Sequence, residues 1–244
     1  MFLNINKDEL AEGQLIEFTN DQRLVFISAT AGMGKSTLMS SLSLQLKKTY
    51  PSVWVFRLDL LEFSNYFEGI INQGNMDVES PVDFLLAMMD TSCKTETTVT
   101  EKNLIRKCFC KPGKIIIIVD GFDEIPDCKD VVLNLLNGLK ENTSILRIFA
   151  TTRPNMEKYL GSIPFKIKPF SPEEQVDCLQ RIWTKDLQVS QATHHEKLKT
   201  YAVGLLRTLS VSLTSKSNQV TGIPLQIKFL AEVFRTKSGT SKIS

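Results

Sequence analysis

Residues 24–42 read Leu24-Val25-Phe26-Ile27-Ser28-Ala29-Thr30-Ala31-Gly32-Met33-Gly34-Lys35-Ser36-Thr37-Leu38-Met39-Ser40-Ser41-Leu42. An apolar run gives way to small residues, then Gly-Lys-Ser, then a stretch with helical spacing. This is a strand, a turn and a helix, and it is close to the phosphate loop G-x-x-x-x-G-K-[ST]. The spacing has a physical reason. Successive backbone N–H groups in such a turn close on an anion, and the helix N-terminus adds partial positive charge. Ala29, Thr30, Ala31, Gly32, Met33, Gly34, Lys35, Ser36 and Thr37 are therefore the candidate nucleotide-binding loop. Gly32 and Gly34 permit close approach, Lys35 reaches the β- and γ-phosphates, and Ser36 offers a hydroxyl to Mg²⁺. Ala29 stands where the pattern has its first glycine. If that position demanded positive φ, alanine would cost about 1–2 kcal/mol.

Four more apolar runs lie outward from this one: Val53–Phe56, Ile115–Val119, Ile145–Ala150 and a weaker Phe165–Ile167. Continuous β-branched runs read as strands buried on both faces, as parallel sheets require. Helical patterns fill the intervals, which makes a βαβ series. Ser80-Pro81 sets a proline at a first helical position. Thr98-Val99-Thr100-Glu101 is a capping box, and Pro112-Gly113 is a turn feeding the third strand. Ser171-Pro172-Glu173-Glu174 joins a cap to acidic first-turn residues. After about residue 170 only helical patterns remain, broken by a polar stretch at 214–221. The expected architecture is a P-loop NTPase three-layer α/β/α fold with a mainly parallel five-stranded sheet over residues 1–170. A small helical lid domain over 171–244 follows.

The third strand ends in Asp120-Gly121-Phe122-Asp123-Glu124. A carboxylate at the C-terminal tip of a neighbouring parallel strand lies where such sheets bind ligands. Asp120 is the candidate Mg²⁺ carboxylate, and Asp123 or Glu124 can orient or deprotonate a water. The fourth strand ends in Thr151-Thr152-Arg153-Pro154, where Arg153 can reach a γ-phosphate and report its loss.

The totals exclude other classes. Twenty-nine basic against 27 acidic residues leave a net charge of +2, so no basic surface for nucleic acid is implied. Lys47-Lys48 reads as a solvated helix end. Five cysteines (Cys93, Cys108, Cys110, Cys128, Cys178) have no zinc-site spacing and read as free thiols in a reducing compartment. Acidic neighbours should raise the Cys128 pKa rather than activate it. His194 and His195 form no metal pattern and read as solvated, while Met88 and Met89 read as core. There is no G-x-S-x-G elbow. Met1–Lys7 lacks the apolar segment of a signal peptide, and Ile115–Val119 is far too short to span a bilayer. The expectation is a cytoplasmic, soluble chain with no membrane partner.

Ala29–Thr37, the spaced signature Asp120-Gly121-Phe122-Asp123-Glu124 and Thr151-Thr152-Arg153-Pro154 together resemble the NACHT branch of the STAND signal-transduction NTPases. Phe170-Ser171-Pro172-Glu173-Glu174 resembles that family's lead-in to its first helical subdomain. Gly222-Ile223-Pro224-Leu225 resembles its Gly-x-Pro element. The resemblance covers roughly residues 20–235. It implies ATP/ADP and Mg²⁺ as cofactors, with Lys35 and Ser36 on phosphates and Mg²⁺ and Asp120 as the Mg²⁺ carboxylate. It further implies Asp123 or Glu124 as the water-positioning acid, Arg153 as the sensor and Pro224 as the adenine contact. The implied function is a signalling switch, of the innate-immune type. The ADP form is closed, and exchange for ATP opens it to self-associate through the NACHT domain, with slow or no hydrolysis. A turnover P-loop ATPase or kinase is the alternative. Family members usually continue into a winged helix, a second helical domain and sensor repeats, so a fragment, an incomplete gene model or an unusually short member is expected here.

Overall fold

The computed structural model describes residues 2–5, 8–11, 14–19, 21–72, 80–92, 98–154, 156, 164–187, 192–212 and 222–240. Cys93 and the polar stretch 214–221 lie outside them, and so do the side chains of Met88, Met89 and His194. The strands are β1 (Phe2–Ile5), β2 (Asp8–Ala11), β3 (Leu24–Ser28), β4 (Trp54–Asp59), β5 (Ile115–Asp120), β6 (Ile145–Thr152) and β7 (Phe165–Ile167). They form one sheet in the order β2-β1-β7-β3-β6-β5-β4. β3 to β7 are parallel to one another, as βαβ connections demand. They are the five expected strands, in spatial order 5-1-4-3-2 when numbered from β3. β1 and β2 add an antiparallel hairpin on β7. The sequence reading did not foresee it, because each arm is four residues long and too short to show a period.

The chain divides into two compact units. Residues 1–30 and 35–167 make one; residues 31–34 and 168–244 make the other. Four residues of the phosphate loop thus group with the helical unit.

In the first unit every residue of β5 is buried. Ile115, Ile117 and Val119 join a cluster with Phe63, Phe67, Leu85 and with Val131, Val132, Leu135, Leu136 and Leu139. Those last five belong to the helix Lys129–Glu141. By strand alternation Ile116 and Ile118 face the opposite side. There lies the helix Lys35–Thr49, with Leu38, Met39, Leu42 and Leu46 inward and Lys47 and Lys48 exposed in its last turn. The sheet is therefore sandwiched between helices.

β4 corrects one expectation. It is the outermost strand, so it has one neighbour and is not buried on both faces; Trp54 is 46% exposed. Trp54 instead stacks on Phe56 at 6.3 Å, and Phe56 on Phe109 at 6.2 Å. β6 carries a buried arginine, Arg147. Its Nη1 donates to the Ile16 carbonyl at 2.7 Å and to Thr19 Oγ1 at 2.9 Å. Burial pulls its pKa below that of an ordinary arginine, against the opposing charges of Tyr50 and Asp21. These bonds tie the turn Leu15–Phe18 to the sheet. The caps form as read. Thr98 and Glu101 complete a capping box on the helix Val99–Cys108, and Pro81 opens the helix Pro81–Ser92. A Cβ on Gly138 would lie 2.8 Å from Pro81 Cγ, so glycine there lets two helices approach closely.

The second unit has the helices Pro172–Leu187, Ala192–Ser212 and Pro224–Thr240. Their core is Leu179, Trp183, Leu198, Ala202, Ile227 and Ala231. Ser171 and Glu174 exchange hydrogen bonds at 2.8 and 3.2 Å, which makes a second capping box. His195 is half-buried rather than solvated, with its carbonyl accepting from Gln180 Nε2 at 3.1 Å.

Candidate phosphate-binding site

β3 ends in buried Ser28, and the Ala29 N–H donates to the Thr152 carbonyl at 3.1 Å. Ala29 thus continues the bonding of the sheet and is itself buried. Gly32 (φ +78°) and Gly34 (φ +85°) take left-handed backbone, which side-chain-bearing residues reach only at a cost. Thr30 and Ala31 are exposed, and Met33 is buried. Lys35 is the first residue of its helix, with Ser36 and Thr37 exposed in the first turn. Lys35 Nζ donates to the Ala29 carbonyl at 3.1 Å, so the ammonium curls back over the loop it follows.

The acidic turn is built from the core outward. Gly121 is left-handed (φ +83°), and the Glu124 N–H closes the turn on the Gly121 carbonyl at 2.8 Å. Phe122 is fully buried, edge-on to Phe26 at 6.3 Å. That anchor explains the spaced signature: the apolar residue between the acids pins the turn to the sheet. Asp123 is then held at the strand tips. Its Oδ1 lies 3.9 Å from Lys35 Nζ and its Oδ2 2.7 Å from Arg153 Nε. The Asp123 side chain is only 4% exposed and neither oxygen accepts a directed hydrogen bond, so the two cations match its charge. Asp120 is also buried. Its Oδ1 accepts from Thr151 Oγ1 at 2.5 Å, and its Oδ2 lies 3.4 Å from Arg57 Nη2. Thr151 Oγ1 in turn accepts from the Gly121 N–H at 3.0 Å.

Gly121→Ala should cost about 1–2 kcal/mol from the left-handed backbone alone. For a chain of this size that lowers the melting temperature by roughly 2–8 °C. The added Cβ also meets Glu124 Oε2 at 3.4 Å. A thermal melt checks this, and an unchanged midpoint would show that the turn does not depend on the glycine.

The structure brings Lys35, Asp123 and Arg153 into one charged chain. Asp120 stands beside it with Thr151 and Arg57. Ser36, Thr37 and Glu124 make no side-chain ion pair with these groups among the described residues. Pro224 is half-buried at the start of its helix. Next to it the Leu225 N–H donates to the Gly32 carbonyl at 3.1 Å. A Cβ on Gly32 would lie 3.1 Å from both Ile223 Cγ2 and Leu225 Cβ. Sequence reading missed Arg57, for which a charge directly after the apolar run Val53–Phe56 was a usable signal, and quoted Thr151 within a motif without giving its hydroxyl a role.

Burial pushes Cys108, Cys128 and Cys178 up from the ordinary thiol value. For Cys128 the carboxylates of Glu68 and Asp127 add to that rise; the acidic neighbours matter, but burial comes first. Among the described residues no three His, Cys, Asp or Glu side chains cluster to hold a metal ion, and no helix is long and apolar enough to cross a membrane.

Comparison with solved structures shows the fold alone. A chain of Drosophila ORC, in a structure bound to DNA, superposes with a TM-score of 0.54 at 14% identity, over 93% of this chain and 62% of that one. A DNA replication initiation factor gives 0.49 at 11% identity, over 94% of this chain and 63% of that one. PCH-2 of C. elegans gives 0.47 at 13%, over 90% and 66%. The chain thus spans just under two thirds of the length of these proteins. What the ORC chain shares with this one is the fold, a parallel sheet flanked by helices with a helical part after it. No curated protein matches the sequence. Residues 11–153, more than half of the chain, match the family model described as Nephrocystin 3, N-terminal; the chain belongs to that family.

Proposed function

We propose that this chain is an ATP/ADP-binding switch module of the NACHT type, which changes conformation with its nucleotide and self-associates when ATP is bound. The observation that carries the reading is the position of Asp123. One buried carboxylate serves both the phosphate-loop cation Lys35 and the strand-tip cation Arg153. A phosphate arriving at the loop competes for both cations, so occupancy at the loop is felt at the end of β6. The residues fit a phosphate tail. Two left-handed glycines precede a helix N-terminus, and the Lys35 ammonium has one carbonyl at 3.1 Å and one carboxylate at 3.9 Å. Lys35 and the loop N–H groups hold the phosphates, Ser36 and Asp120 hold Mg²⁺, and Arg153 senses the γ-phosphate. Pro224 contacts the adenine. Asp123 or Glu124 positions a water. Bound Mg²⁺ supplies charge neutralisation of the phosphates.

A turnover ATPase or kinase is the second reading, favoured by Glu124. Its carboxylate is exposed at the same tip and lacks an ion-pair partner among the described residues, as a water-activating base would need. The test is to denature purified protein, identify the released nucleotide, and compare the oligomeric state with ADP and with a non-hydrolysable ATP analogue. Adenine nucleotide, with association only in the ATP-like state, supports the switch. No nucleotide and no uptake would overturn it. Turnover near 1–100 s⁻¹ would favour the second reading. Cytoplasmic location belongs to the same proposal.

A further inference from the structure

The charge beside Asp120 is not accounted for by any role assigned so far. Arg57 lies on β4, where it pairs in register with Ile118 of β5, and Asp59 pairs with Asp120. Strand alternation therefore puts Arg57 on the same face as Asp120, the face on which the helix Lys35–Thr49 packs. The guanidinium spans that gap. Its Nη2 lies 3.4 Å from Asp120 Oδ2, and its Nη1 donates to Ser40 Oγ at 2.7 Å. Ser40 Oγ in turn donates to the Ser36 carbonyl at 2.8 Å. The arginine is thus tethered to the two residues assigned to Mg²⁺, the carboxylate directly and Ser36 through Ser40. Its side chain is 36% exposed while that of Asp120 is 5%, so the guanidinium closes the solvent side of a buried carboxylate.

A buried carboxylate needs a counter-charge. With Thr151 on one oxygen and Arg57 on the other, Asp120 already has it. Two cations cannot share that one oxygen without repulsion. We propose that Arg57 is a resident counter-ion that competes with Mg²⁺ for Asp120, so that the site takes up the divalent ion only as the guanidinium withdraws. The inference rests on the nucleotide-site reading above. It makes Arg57 a positioning residue that sets how much Mg²⁺ the site requires.

The test titrates Mg²⁺ into the full chain at a fixed, subsaturating concentration of fluorescent ADP, for wild type, Arg57→Gln and Arg57→Lys. Glutamine removes the charge and keeps a polar side chain on β4. The half-saturating Mg²⁺ concentration should fall roughly three- to fivefold in Arg57→Gln, the range set by an ion pair with one exposed partner. Arg57→Lys keeps the charge and should stay close to wild type. Thermal melts with Mg²⁺ and no nucleotide give a second readout, in which Mg²⁺ should stabilise Arg57→Gln more than wild type. An unchanged or raised Mg²⁺ requirement in Arg57→Gln, with wild type binding ADP normally, would overturn this inference and leave the site reading standing. If wild type binds no ADP at all, both fall.

Discussion

Lys35→Ala should lower affinity for ATP and ADP by about ten- to a hundredfold while leaving the fold intact. A charge-assisted hydrogen bond contributes about 1.5–3 kcal/mol, and each 1.4 kcal/mol is about tenfold in affinity. Lys35 would supply such a bond to the phosphates. In the structure its partners are the Ala29 carbonyl and the more distant Asp123 carboxylate. Asp123 keeps Arg153 at 2.7 Å when Lys35 is lost, so no buried acid is left without a counter-charge. The effect should therefore appear in binding and scarcely in melting. Fluorescent ADP titration alongside a thermal melt separates the two. Equal affinity in wild type and variant would overturn the assignment of the loop as the nucleotide site.

Trp183→Ala should do the reverse and collapse the helical unit. Trp183 is fully buried, its Nε1 donates to the Ala231 carbonyl at 3.0 Å, and its ring packs on Tyr201 at 5.4 Å. Truncating a buried tryptophan costs about 3–5 kcal/mol. That is a large share of the roughly 5–15 kcal/mol that holds a typical protein folded. Trp183→Phe retains most of the apolar contact and loses the hydrogen bond, so it should cost about 1–2 kcal/mol. Chemical denaturation of the three proteins ranks them. Identical midpoints for alanine and tryptophan would show that the cluster does not stabilise the unit.

The loop illustrates what local sequence can fix. An apolar run, small residues and Gly-Lys-Ser before a helical stretch are all neighbours in the chain, and the structure has them as strand, left-handed glycines and helix start. The acidic signature was legible for the same reason. Gly121 is where the turn goes left-handed, and Phe122 is what anchors it. β4 was misjudged because an apolar run such as Val53–Phe56 looks alike in the centre and at the edge of a sheet. Arg147 sits in an apolar run that otherwise reads as core. Its hydrogen bonds to the Ile16 carbonyl and Thr19 Oγ1 come from residues far away in sequence.

The sequence by itself determined the strand–loop–helix unit, the capped helices and the identity of the acids and cations at the strand tips. Their causes are short-range: backbone sterics at glycine, the helix dipole, and the match of apolar period to secondary structure. The tertiary structure alone decided which tips meet. Asp123 between Lys35 and Arg153, and Arg57 on Asp120, follow from the order β7-β3-β6-β5-β4. Strand order is set by packing and pairing between segments far apart in the chain, and no local stretch carries that information.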